Sequence, residues 1–400
     1  MKKILFMAKQ QKIAMRNYAI DRPYIDIKQR AAWKHWVSFG YDNLYPKLIY
    51  TLYSESPLQS SIINNQIKYT YGAGLKDYTA SIFQPNISER WEDFIKKCIT
   101  DYCIYGAFSV QVVVSESGDK FLYYHMPISQ VRLGPYSENN QIEYAYLATD
   151  WSRTNPTNVV EIKMFGVEQP KKGERYLMYF KAYDPEELFY AVPRWMSAAN
   201  WIAADIALSK YHLNYIKNNF SANTAIAYPA DLDEDKKQEL YEMLMDSFGG
   251  EDNAGNILLL FGENGTLPVV SQIEASNADV YEKVCDTVLK YIVSANRLTS
   301  PILAGLSTSS GFSSKSDEII AAYILYKLTV IDGIRSFVMD KINFLLTLNG
   351  QPRVLQLDDY NFRAEFEGDT AQNDDKEAES TDVDTESINE EDQIENNGKQ

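Results

Sequence analysis

Two long helical stretches, Trp195–Phe220 and Asp317–Asn349, set the main limit on this chain. At 1.5 Å per residue they would span roughly 39 Å and about 50 Å. Pro193 stands at the entrance of the first, where its fixed φ and missing N–H suit a helix start, and Gly350 closes the second. Gly333 sits inside the second and marks either a bend or a close backbone approach. A lone monomer would leave such rods partly exposed, so the layout reads as a scaffold. The 400 residues allow two or three packed subregions.

Between and before the rods the pattern is mixed. FGYDNLYPKLIYTLYSESPLQSSIINNQIKYTYGAGL, residues 39–75, reads as two Tyr-rich helices joined at Ser54-Glu55-Ser56-Pro57 and stopped at Gly72-Ala73-Gly74. Ser88–Tyr102 is a third amphipathic helix, with Trp91, Phe94, Ile95, Cys98 and Ile99 at helical spacing. Phe108–Val114 and Phe121–Tyr124 form a hairpin across Glu116-Ser117-Gly118-Asp119, and strand-like runs follow at Gln130–Leu133, Glu143–Ala148, Val159–Met164 and Tyr176–Lys181. After the first rod comes an insert of strand Thr224–Tyr228, helix Asp233–Phe248 and hairpin Ile257–Val270, turning at Gly262–Gly265. A helix opening near Ser276 and Asp279 with Val280, Val284, Val288 and Ile292 in one row leads towards Pro301. The fold class expected is α+β.

Composition narrows the functions. Hydrophobic residues make up 45% of the chain, with 29 Tyr and 17 Phe. The Tyr excess suits broad, half-wet contacts between subunits, or else plain core and surface packing. Net charge is −16, but residues 364–400 hold 14 acids and 2 bases, or −12, which leaves −4 for the rest. That balance excludes a basic patch that grips nucleic acid. The acidic segment is too polar to build a core and is expected to be a disordered tail. Cys98, Cys103 and Cys285 form no CxxC pair and read as reduced thiols. The start has only Ile4–Ala8 as an apolar run, too short for a signal peptide, and Ile319–Ile331 is broken by Lys327, short of the ~20 residues of a membrane span. A soluble cytoplasmic product is expected.

Chemistry is sparse. Gly305–Ser316 ends in Lys315-Ser316, but Ser314 stands where a phosphate loop needs glycine, and a helix rather than a strand precedes it. Asp358 and Asp359 would point to opposite faces of a strand, and Asp233–Asp235 and neighbouring Glu234 suit a helix start. His35, His125 and His212 have no ligand or triad companion at set spacing and read as core or interface residues. No catalytic residue, metal or cofactor is expected.

Three phrases in order are similar to the portal proteins of tailed bacteriophages. They are Gly40–Pro46 with the helices up to Gly74, FYAVPRWMSA at Phe189–Ala198 with Ala191 where that family usually has Gly, and the insert bearing GGEDNAGNILLL followed by SPILAGL at Ser300–Leu306. The likeness runs over residues 35–363. It implies an N-terminal arm (1–19), a mixed wing (20–192), stem helices (193–221 and 277–299), a small α/β clip (222–274), a tunnel loop (303–316), a long helix (317–350), a return strand (351–363) and the tail (364–400). A crown after the long helix is not indicated.

It further implies a homo-oligomeric ring, dodecameric in that family, at one capsid vertex. Its partners would be the terminase large subunit, major capsid and scaffold proteins, a head-tail connector, and duplex DNA passing non-specifically, with no membrane. The channel residues would be Ser307, Thr308, Ser309, Ser310, Gly311, Phe312, Ser313, Ser314 and Lys315. Motor docking would fall on Glu251, Asp252, Asn253, Glu263 and Asn264. Another connector ring component and a cytoplasmic DNA-processing enzyme remain as alternatives.

Overall fold

The computed structural model describes residues 35–76, 83–152, 159–217, 224–228, 257–261, 278–306 and 316–360, together with Asp235, Gln238, Glu239 and Glu242, which are helical. The rest of the expected insert helix, the 262–265 turn, the arm and the tail lie outside the described residues.

The two opening helices form as their punctuation requires. Helix α1 is Tyr45–Glu55 and α2 is Pro57–Tyr71. Ser56 between them is extended, and its hydroxyl accepts the Gln59 N–H at 3.1 Å, while Pro57 occupies the first helical position. At the far end Gly72 has φ +65°, and a Cβ there would lie 2.0 Å from the Asp358 carbonyl oxygen. That closeness lets the two-residue strand β1, Gly74–Leu75, receive a returning strand at Leu357–Asp358. Gly72→Ala should therefore detach the return strand, read as faster amide exchange at residues 355–358 with the sheet described next unaffected.

Helix α3, Trp91–Tyr105, buries Trp91, Phe94, Ile95, Cys98, Ile99 and Tyr102, the spacing that the sequence shows. It packs on a six-stranded sheet of β2 (Ala107–Val114), β3 (Phe121–Met126), β4 (Val131–Leu133), β5 (Tyr144–Leu147), β6 (Val160–Met164) and β7 (Arg175–Lys181). The order is β3-β2-β7-β6-β5-β4, antiparallel throughout except for the short parallel pairing of β6 with β7. Phe108, Val110 and Val112 of β2 are fully buried, and so is Ser109, because this central strand is covered on both faces. Gly106 ends α3 in the left-handed region at φ +76°, where a Cβ would meet the Val192 carbonyl oxygen at 3.1 Å and the Ala191 side chain at 3.4 Å. The FYAVP phrase thus seals the end of α3.

The rods differ from expectation in their details. The first opens as a 3₁₀ turn over Arg194–Ala198, with Met196 N–H donating to Pro193 O, and becomes α4 at Ala199–Lys217. The insert strands β8 (Thr224–Tyr228) and β9 (Ile257–Phe261) pair in parallel, the pattern of a crossover through a helix. Helix α5 is Ala278–Ala295, and a 3₁₀ turn follows at Pro301–Ala304. The second rod is not one α-helix: α6 (Ser316–Tyr326) widens to a π turn at Lys327–Ile331 before α7 (Asp332–Leu348), which ends ahead of the return strand, β10 (Leu357–Asp358). A Cβ at Gly333 would meet nothing within 4 Å, so no neighbouring backbone approaches it. The irregularity lies just before it.

Candidate subunit interface and loop anchor

Four constellations hold the parts together, and none is organised around a reacting atom. The first binds the α1–α2 junction to the rods. Ser56 Oγ donates to Asp205 Oδ2 of α4 at 2.6 Å while accepting from Gln59, so one hydroxyl caps α2 and docks it. Gln59 and Asn296 exchange side-chain amide bonds at 3.3 and 2.8 Å, both buried. Paired amides satisfy each other where an unpaired one would be costly.

The second fixes the chain on either side of residues 307–315. Leu303 O accepts from Tyr69 Oη at 2.9 Å and Ala304 O from Ser61 Oγ at 2.6 Å, both donors on α2. Tyr69 also meets Tyr323 and Tyr326 of α6 edge-on, at centroid distances of 5.4 and 6.4 Å. Thr299 Oγ1 donates to Ala322 O at 2.7 Å, and Arg297 donates to Thr329 O at 3.0 Å inside the π turn. Both ends of the 307–315 segment are thereby referred to one helix. Burial, with Asp359 nearby, pushes the Tyr323 phenol up to about 12, so it stays neutral.

The third is a clamp on the return strand. Arg335 donates to Tyr69 O and Thr70 O, the open carbonyls at the end of α2, and to Asp359 Oδ1. Lys327 of the π turn lies 3.0 Å from Asp332 and 3.3 Å from Asp359. Burial would raise the Asp359 pKa, but the bonds and charges of Arg335 and Lys327 outweigh it and lower it. Asp358 points elsewhere and is exposed, as strand alternation requires.

The fourth is Arg132, which is 1% exposed. Its guanidinium donates to Asn43 Oδ1, Asn43 O, Ser129 O and Val131 O, with Trp151 at 4.8 Å and Phe39 at 5.7 Å from its carbon. Asn43 holds φ +65° and also accepts the Phe39 N–H, so the DNLYP phrase is a receptor for Arg132.

The outer faces of the helices carry large exposed apolar residues among charged ones. Tyr211, Leu213, Val284 and Tyr291 on α4 and α5 are 41–53% exposed, and Trp201 stacks on Tyr291 at 4.4 Å. Ile324, Leu325 and Leu328 around the π turn are 50–66% exposed. The inner faces of α4 and α5 bury Ile202, Ile206, Val288 and Ile292.

Of the sequence candidates, all of Ser307–Lys315, and Glu251, Asp252, Asn253, Glu263 and Asn264, lie outside the described residues. His125 departs from its reading as a residue without companions: its Nε2 lies 3.0 Å from Asp101 Oδ2, which also accepts the Ile128 N–H, and both side chains are largely buried. The pair ties α3 to β3. His35 and His212 are exposed, so neither is a core residue. Cys98 and Cys103 are buried and Cys285 half-buried, all unpaired with one another; burial pushes the Cys98 and Cys103 thiols up, which makes them inert small apolar groups. Among the described residues no group of three or more His, Cys, Asp or Glu could hold a metal, and no helix is long and apolar enough to cross a membrane. Sequence reading missed Ser61, Tyr69, Asp205 and Asn296; only the break at Ser56-Pro57 was visible beforehand.

The model of the family described as "Phage portal protein" matches residues 76–283, just over half of the chain. This chain belongs to the phage portal protein family. In fold, this portal protein is similar to a chain of the neck of the native gene transfer agent particle computed with C12 symmetry. That match has a TM-score of 0.52 at 15% identity and covers 86% of this chain and 90% of the other. A chain of the virion of the native particle gives 0.50 at 17% identity, covering 83% and 89%. An HK97 family phage portal protein from Corynebacterium diphtheriae gives 0.39 at 12% identity, covering 69% and 84%. No curated protein matches the sequence.

Proposed function

We propose that this portal protein assembles as a closed ring of identical subunits at one capsid vertex, and that the ring is the channel for genome packaging and exit. The carrying observation is the set of large apolar residues left exposed on the paired helices, Tyr211, Leu213, Val284 and Tyr291, on a chain of this family. Large apolar side chains left exposed on one pair of helices suit a protein contact, and a face that meets a different face on the next copy generates rings. The C12 symmetry of the neck of similar fold supports a twelvefold ring.

In this reading residues 20–192 are the wing, 193–221 and 277–299 the stem, and 222–274 the clip that meets the terminase large subunit through Glu251, Asp252, Asn253, Glu263 or Asn264. Capsid, scaffold and connector proteins bind the ring from outside. The segment 303–316 faces the duplex, with small hydroxyl groups, Phe312 and Lys315 touching the backbone without reading bases. Outside residues 364–400 the net charge is only −4, from −16 less −12, so DNA slides instead of being held by counterion release. The protein makes and breaks no bonds; its assembly takes place in the host cytoplasm.

Light scattering after size exclusion, with negative-stain images, tests the ring. Wild-type protein should give closed rings with a central hole, and Tyr291→Asp should give folded subunits that do not close. A protein that stays monomeric at high concentration and with scaffold present would overturn the proposal.

A further inference from the structure

The described chain begins at His35, at one end of the sheet. Val37 N–H donates to Leu133 O at 2.8 Å, Tyr190 Oη donates to Val37 O at 2.5 Å, and Phe39 stacks on Tyr190 at 4.0 Å. His35 and Trp36 face Tyr146 of β5, at centroid distances of 6.2 and 5.8 Å. Two loops close this end: residues 134–143, which join β4 to β5, and residues 182–189, which follow β7. They touch through Tyr136 and Phe189, 4.9 Å apart.

Both loops are acidic. Residues 134–143 hold Glu138 and Glu143, residues 182–189 hold Asp184, Glu186 and Glu187, and neither stretch has a lysine or arginine. Glu138 and Glu186 are exposed. Large apolar groups stand beside these acids: Tyr183 is 88% and Leu188 54% exposed, and Tyr144 at the start of β5 is exposed as well. Aromatic and aliphatic groups among carboxylates fit a basic segment that carries an aromatic ring.

The chain supplies such a segment at this point. Residues 1–34 hold nine bases and two acids, or +7, on a chain whose net charge is −16. The last seven of them run KQRAAWK, with Lys28, Arg30 and Lys34 around Trp33 and no acid. Seven residues reach at most about 25 Å. A basic terminal stretch also suits nucleic acid. The five acids of the two loops at its root favour the protein's own surface, because a short tether holds the segment there at high effective concentration.

We propose that residues 28–34 dock on these two loops of their own chain, with Trp33 among Tyr144, Tyr183 and Leu188, and Lys28, Arg30 and Lys34 on Glu138, Glu143 and Glu186. The site belongs to one chain, so it stands or falls apart from ring closure. Docking would fix the leading segment to the end of the sheet.

Full-length protein with photo-crosslinking benzoylphenylalanine in place of Trp33 tests this. Irradiation should join position 33 to residues 134–144 or 182–189, in a band of monomer mass. Glu138→Gln with Glu186→Gln, both on exposed side chains, should cut that yield severalfold, and raised salt should do the same. Added duplex DNA should leave it unchanged. Cross-links elsewhere, none at all, loop cross-links found only between two chains, a yield indifferent to the glutamate pair, or a yield that collapses when duplex is added would each overturn the proposal. In unlabelled full-length protein, Trp33→Ala should speed amide exchange at residues 137–143 and 183–188, and unchanged exchange would count equally against it.

Discussion

Deleting Thr308–Gly311 should leave expression, thermal stability and ring formation intact while DNA packaging in vitro collapses. The two ends of this segment are held independently of its length. Leu303 and Ala304 hang from Tyr69 and Ser61, and Tyr323 and Tyr326 of α6 rest on the same Tyr69. Closing a somewhat shorter loop changes the free energy by only about 1 kcal/mol. If these residues face the translocating duplex, their loss is felt in packaging alone. Phe312→Ala separates two roles for the one large residue there: a core anchor would cost about 3 to 5 kcal/mol on truncation, a channel-facing ring little. We expect the second outcome, measured by thermal melts of mutant and wild-type rings beside the packaging assay. Normal packaging by the shortened ring would remove residues 307–314 from the functional surface.

Arg132→Ala should destabilise the sheet region by about 3 to 5 kcal/mol, since it strands several buried carbonyl groups at once. At 2–4 °C per kcal/mol for a unit of this size, the melting temperature should drop by about 10 °C. Burial pushes the guanidinium down to about 10, so it remains charged at neutral pH and depends on its four acceptors and the Trp151 face. Arg132→Lys should recover little, because an ammonium group cannot serve that planar set or lie flat on the indole. Melts of the three proteins decide the matter; a lysine variant as stable as wild type would mean that charge alone is what the site requires.

Local rules explain which parts were legible. The break between α1 and α2 could be read because a Ser before Pro caps a helix through atoms three residues away, and α3 could be read because its apolar residues recur at helical spacing. Residues 307–315 and the insert loops were singled out by composition, and they lie outside the described residues. The anchors around the loop left no such signal. Tyr69 and Ser61 are ordinary members of a polar helix until the chain brings Leu303 and Ala304 beside them, more than 230 residues later.

By itself the sequence determined the helices, the hairpin of β2 and β3, the excess of apolar surface over chemistry and, through three phrases in order, the portal family. Each of these depends on interactions within a turn or two of chain, or on composition. The tertiary structure alone decided that β6 pairs in parallel with β7 and β8 with β9, that the long rod opens into a π turn at Lys327–Ile331, and that His125 meets Asp101. It also decided that Ser56 finds Asp205 across 149 residues and Gln59 finds Asn296 across 237. Such pairs form only after the intervening chain has closed, and loop closure favours no particular partner at that range, so nothing local could have announced them.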